Sequence, residues 1–150
     1  MFRGVNILSL DSKGRIAIPA KYRAELTESC EGHLIITVDK GQCLLMYPRH
    51  EWESVEEKLM ALPSINEEIR MLQRLLVGHA TEVDMDGNGR VLLPPPLRKY
   101  AKLEKQVVVL GQGNKFEIWD EEIWNSQCAD WLSKERFEGG LPDQLANFSL

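Results

Sequence analysis

Short β-branched and apolar runs alternate with turn-forming residues and with helical patterns along this chain. Residues 5–10 (Val-Asn-Ile-Leu-Ser-Leu) and 15–18 (Arg-Ile-Ala-Ile) flank Asp11-Ser-Lys-Gly14. Asp stands at the first turn position and Gly at the fourth, which predicts a β-hairpin. Residues 81–85 and 90–93 flank Asp86-Gly-Asn-Gly89 in the same way, with a stronger turn signal. Pro19 and Pro94 end the second strand of each pair, and proline suits the first position of a following helix, here residues 19–26. Further strands are predicted over 33–39, 43–47, 106–110 and 115–119. Trp52, Val55, Leu59 and Leu62 share one helical face, as do Ile65, Ile69, Leu72 and Leu76 after Pro63, where Ser64 and Asn66-Glu-Glu resemble a helix start. Residues 121–137 predict a last helix, ended by Gly139-Gly140, and its apolar residues exceed one narrow stripe, a hint of a subunit interface.

These elements fall into two equivalent series. Asp11-Ser-Lys-Gly-Arg15-Ile-Ala-Ile-Pro19 through Arg23 returns 75 positions later as Asp86-Gly-Asn-Gly-Arg90-Val-Leu-Leu-Pro94 through Arg98. Leu44-Leu-Met-Tyr47 through Trp52 is echoed by Phe116-Glu-Ile-Trp119 through Trp124 at an offset of 72. Two collinear matches indicate internal duplication, each copy reading β, β, short helix, β, β, helix. Each copy is only about 50 residues, near the lower limit for an adequate core, so the two should fold against each other. The organisation expected is a first repeat over 1–53, a helical linker over 54–76, a second repeat over 77–124 and a C-terminal helix and tail over 125–150.

Hydrophobic residues at 43% and charged residues at 27% suit a folded domain and argue against disorder. The opening residues reach Asp11 before a signal-peptide core develops, and apolar stretches such as 107–110 are far below the roughly 20 residues a bilayer requires, so a cytoplasmic protein with no membrane partner is expected. Cys30, Cys43 and Cys128, odd in number and widely spaced, read as structural thiols rather than a disulfide framework. His33, His50 and His79 share no zinc spacing with them or each other. Asp84-x-Asp86-x-Asn88-Gly89 begins like a calcium loop, but the twelfth position, which needs a bidentate Glu, is Pro95. Gly111-x-Gly113 precedes a strand instead of a helix and predicts a hairpin turn rather than a phosphate cradle. No cofactor, metal or small-molecule substrate is expected, and no residue stands in a recognisable nucleophile motif.

Charge is distributed unevenly. Residues 2–25 carry Arg3, Lys13, Arg15, Lys21 and Arg23 against Asp11 and Glu25, a local excess of +3 in a chain whose net charge is −5. Residues 77–100 balance Arg90, Arg98 and Lys99 against Glu82, Asp84 and Asp86. The first turn is therefore the better candidate for facing phosphates. Arg15 and Arg90 stand just past the turn glycines, where an arginine fork could grip a guanine edge or a phosphate. Each could equally pair with the Asp four residues earlier and close the turn. A turn needs Asp and Gly but not Arg, so duplication of the whole Asp-x-x-Gly-Arg unit favours the first role.

The N-terminal Met-Phe-Arg-Gly, the paired Asp-x-x-Gly-Arg turns followed by proline, Gly78-His-Ala80 and Asn114-Lys-Phe-Glu-Ile-Trp119 together resemble the MraZ family of the AbrB-like (SpoVT-AbrB) group, over nearly the whole chain. The resemblance implies an α+β fold: a duplicated AbrB-like swapped-hairpin β-barrel built from two internal repeats, with flanking and linking helices. It also implies ring-like homo-oligomers and binding to short direct repeats of double-stranded DNA upstream of the division and cell-wall gene cluster, where members act as nucleoid-associated transcriptional repressors of their own expression. The family's DNA-contacting arginines carry over onto Arg15 and Arg90, and the motif acids and glycines onto Asp11, Gly14, Asp86 and Gly89. Arg3, Lys13, Lys21 and Arg23 would then meet phosphates. The second motif departs from the first in having Asn88 for Lys13 and a Pro94-Pro-Pro96 run. The rival readings are an antitoxin-like protein-interaction module, which would call for a detachable acidic tail, and an enzyme, which would call for convergent titratable groups.

Overall fold

In the computed structural model, which describes residues 1–133 and 143–145, the elements follow one another as the sequence predicts. They are β1 (Phe2–Ser9), β2 (Arg15–Ala17), α1 (Ala20–Cys30), β3 (His33–Val38), β4 (Leu44–Pro48) and α2 (Arg49–Met60). A linker helix α3 (Glu67–Leu72) runs on through a π-helical turn (Gln73–Val77). The series then repeats as β5 (Thr81–Asp84), β6 (Arg90–Leu92), α4 (Pro95–Tyr100), β7 (Gln106–Gly113), β8 (Phe116–Asp120) and α5 (Glu121–Trp131). The Asn66 side chain accepts from the amides of Glu68 and Ile69, which starts α3 where the sequence suggests. Asp120 likewise accepts from the Ile123 amide at the start of α5. α5 ends at Trp131, with Leu132 as its C-cap, short of the predicted end at 137, and the predicted Gly-Gly stop lies outside the described residues.

Strand partnership differs from the hairpins expected. β1 and β2 do not pair with each other; β1 pairs antiparallel with β7 and β2 with β6. Likewise β5 pairs with β3 rather than with β6. Each repeat's first strand is thus completed by a strand of the other repeat, and the two motifs form turns without becoming free two-stranded ribbons. A six-stranded sheet in the order β1-β7-β8-β4-β3-β5 results, beside a two-stranded sheet of β2 and β6. Neither sheet closes on itself among the described residues.

The register is symmetric about the repeat. Leu44 faces Ile118 and Met46 faces Phe116 across β4 and β8, the partners that exchange when the copies are swapped. Arg15 faces Leu92 and Ala17 faces Arg90 about the central pair of Ile16 and Val91. The hairpin turn expected at Gly111-x-Gly113 is present between β7 and β8: Gly111 pairs with Phe116, the Gln112 amide donates to Lys115 O, and Gly113, at a φ of +80°, and Asn114 form the loop, while Gly111 also pairs with Gly4 of β1.

One face of the large sheet packs on β2, β6, α1 and α4 around Ile16, Ile18, Leu26, Val91, Leu93 and Leu97, all 2% exposed or less. This core draws on both repeats. On the other face, α2 covers Ile35, Leu45 and Tyr47 with Trp52, while α5 covers Val108 and Trp119 of the sheet with Trp124 and Trp131. The three indoles lie 5.7 to 5.9 Å apart between ring centroids, and this mutual packing uses the aromatic residues that exceed one stripe of α5. Leu62, expected on the buried face of α2, falls beyond the helix end and is exposed. Burial on both faces is why β3 and β4 read as nearly continuous apolar runs rather than as alternation.

Candidate nucleic-acid interface

Asp11 organises the first turn. Its Oδ1 accepts from the amides of Arg15 at 2.8 Å and Lys13 at 2.9 Å, while its Oδ2 accepts from Arg15 Nε at 2.8 Å. The Asp11 amide donates to Arg15 O and the Gly14 amide to Asp11 O, and Gly14 takes a φ of +83° that favours glycine. The Arg15 backbone N–H, aided by its guanidinium and the Lys13 amide, holds the Asp11 carboxyl down to about 2. Asp86 builds the second turn alike, accepting from the amides of Asn88 and Arg90 at 2.8 and 2.9 Å, and its carboxyl is also lowered, mainly by the Arg90 N–H.

The two turns are neighbours because β2 and β6 pair, and the Arg15 charge contributes to lowering Asp86. Arg15 is half-buried and paired with Asp11, whereas Arg90 is exposed with no salt bridge to Asp86. Both roles weighed for Arg15 are therefore compatible: one nitrogen closes the turn, and the remaining donors of the fork stay available. Lys13 is exposed at the turn itself.

The other expected cations are placed differently. Arg23 donates from Nε to Ile18 O at 2.7 Å, and its side chain lies over Gly89 of the second turn. Lys21 Nζ lies 5.0 Å from the Tyr22 ring centroid and close to Gly4, next to Arg3, whose carbonyl accepts from Tyr22 Oη. Arg3 stands at the start of β1, six residues or about 20 Å of extended strand before Ser9. Arg3 and Lys21 thus form a second basic spot at the far end of β1 from the turn.

Arg98 joins the turns without having been an expected site residue. It donates from Nε to Leu93 O at 3.0 Å and lies over Gly14 of the first turn, as Arg23 lies over Gly89. Its position opposite Arg23 in the repeated motif was the available signal.

Asp39, Cys43 and Glu117 bring three potential ligand atoms within 4.8 Å of one another. Burial pushes the Cys43 thiol well up and raises the Glu117 carboxyl, favouring the neutral forms rather than the deprotonated donors that a cation needs. No helix among the described residues is long and apolar enough to cross a membrane.

Fold and site define an α+β scaffold in which two Asp-x-x-Gly-Arg turns, one per half, converge over a shared core. The family model described as "MraZ protein, putative antitoxin-like" matches residues 1–75 and 76–139. Similar proteins include the "Transcriptional regulator MraZ" of Thioalkalivibrio sulfidiphilus, 58% identical over 90% of both chains. Those of Pseudomonas aeruginosa and Halorhodospira halophila are 52% and 51% identical over the full length of both chains. The chain belongs to the MraZ family.

Proposed function

We propose that this protein is a DNA-binding transcriptional regulator, a repressor acting on short direct repeats in its own promoter upstream of the division and cell-wall gene cluster. The observation that carries the reading is the Asp11-fixed turn, which presents Arg15 and Lys13 together at the surface of an otherwise acidic chain. Relatives at 51–58% identity are named as transcriptional regulators, which favours this class over an enzyme. Location in the cytoplasm on the nucleoid accompanies that reading.

Arg15 would read a base edge, with Arg90 secondary, and Lys13 would meet a neighbouring phosphate. Arg23 is partly committed to Ile18 O, so its phosphate contact would come from its terminal nitrogens. Arg3 and Lys21 would touch phosphates only where DNA extends along β1. One or two base-reading arginines at roughly 1–3 kcal/mol each are too few for tight specific binding. Repetition of the turn in a ring-like homo-oligomer would supply the rest through effective concentration. We take the repeats, 1–53 and 77–124, as interlocked in the manner of a swapped-hairpin barrel, with 54–76 as linker and 125–150 as C-terminal segment. The cross-repeat registers of β1 with β7 and β5 with β3 support this.

Arg15→Ala is expected to abolish preference for the promoter duplex while leaving oligomer size unchanged, because the Asp11 bonds to backbone amides survive. Arg90→Ala should cost less. A mobility-shift assay on the promoter fragment measures both, and unchanged affinity of Arg15→Ala would remove the assignment.

A further inference from the structure

The second repeat contributes a side chain to the first repeat's turn. Arg98 on α4 is anchored by Nε to Leu93 O at 3.0 Å, and the Leu93 amide in turn donates to Gly14 O at 3.0 Å. A methyl added at Gly14 would stand 2.4 Å from both Cζ and Nη1 of Arg98 and 2.8 Å from its Nε. Three atoms of one planar group at nearly equal distance from that point mean that the flat face of the guanidinium covers the turn. The other half repeats the arrangement: Arg23 Nε bonds Ile18 O at 2.7 Å, the Ile18 amide donates to Gly89 O at 2.8 Å, and a methyl at Gly89 would stand 2.3 Å from Arg23 Nε. Each arginine serves the opposite repeat's turn.

We propose that Arg98 is a positioning residue for DNA recognition, clamping the Asp11–Arg15 turn from the other repeat so that Arg15 is presented in one orientation; this rests on the reading role given to Arg15. Gly14 has no side chain to pack, and the guanidinium supplies the missing cover with a planar face that lysine lacks. Arg98 holds Leu93 O with Nε and covers Gly14 with its face, and on this proposal its influence on DNA passes through Arg15 rather than through a phosphate contact of its own, a distinction the salt slope reads. A presented side chain held by a supporting group loses less freedom on binding than a loose one.

The test is fluorescence anisotropy with the oligomer and promoter duplex over a salt series, using wild type, Arg15→Ala, Arg98→Gln, Arg98→Lys and the Arg15→Ala/Arg98→Gln double variant. Arg98→Gln should weaken binding about tenfold, leave the slope of log affinity against log salt unchanged, and add little to Arg15→Ala. Arg98→Lys should not restore affinity, and it carries the same test if Arg98→Gln loses its thermal transition. Unchanged affinity, full rescue by lysine, or a slope smaller by about one, the mark of a direct phosphate contact, would each overturn the role. Failure of wild type to prefer promoter over scrambled duplex would sink the DNA reading itself. A preference lost in Arg15→Ala but kept in Arg98→Gln would sink only the clamp.

Discussion

Phe116→Ala probes the core shared by the two repeats. Phe116 opens β8 in the second repeat and is fully buried, yet its ring neighbours come from the first: Phe2 at 4.3 Å and Tyr22 at 5.0 Å between centroids. Truncating a buried Phe to Ala costs about 3–5 kcal/mol through lost transfer energy and the cavity left behind. Two aromatic contacts, each worth about 0.5–1.5 kcal/mol, place this site toward the upper part of that range. Total stability of a domain is about 5–15 kcal/mol, so the variant should lose about a quarter or more of it. Urea unfolding followed by tryptophan fluorescence measures the loss, with Trp52 in the first repeat and Trp119, Trp124 and Trp131 in the second half. Amide exchange should show protection falling in β3 and β7 alike, because their inward residues share one cluster. A loss below about 1 kcal/mol, or lost protection confined to the second repeat, would refute the shared core.

Three other outcomes follow from the same structure. The Asp11 carboxyl is held to about 2 against an ordinary 3.8, a depressed folded value, so its stabilisation of the turn is complete above about 3.8 and lost as pH falls toward 2. A carboxyl NMR titration should find that low midpoint in wild type, and a midpoint near 4 would contradict the turn geometry. Cys43 is buried with its thiol raised by desolvation and by the Glu117 and Asp39 charges, whereas Cys30 and Cys128 are only partly buried. Alkylation at mildly alkaline pH, read by peptide mass spectrometry, should label Cys30 and Cys128 well before Cys43, and equal labelling would count against that burial. Gly14→Ala should destabilise the first turn, because the new methyl meets Arg98 at 2.4 Å at a φ of +83°; a thermal melt no different from wild type would contradict it.

The order of elements was readable because turn chemistry is local: Asp at the first and Gly at the fourth position of each turn announce themselves in four residues. Strand partners were not, because a turn says that the chain reverses and not which strand lies alongside. β1 spends its length on β7, and Ile16 meets Val91, through contacts 75 to more than 100 residues apart that no window of sequence contains. The Gly111-x-Gly113 turn was legible because its two strands are neighbours in sequence as well as in the sheet. Asp11, Gly14 and Arg15 were legible as a unit through their repetition. Arg98 was visible only as Arg23's counterpart, since its contact with Gly14 depends on the topology that sets α4 of one repeat beside the turn of the other. Arg3 and Lys21 counted toward the basic segment by proximity in sequence, but an extended β1 carries Arg3 away from the turn and α1 sets Lys21 beside Gly4 at that far end.

On the proposed function, the Asp11–Arg15 turn gives this protein sequence-specific contact with DNA. That contact is tested most directly by a fluorescence-anisotropy titration of the purified protein against duplex from immediately upstream of its own gene, beside a scrambled duplex, at two salt concentrations. Tight binding to the native duplex alone, weakened by salt, is the predicted result. Equal and weak binding to both duplexes would contradict it and move the function toward a protein-interaction module on the same fold.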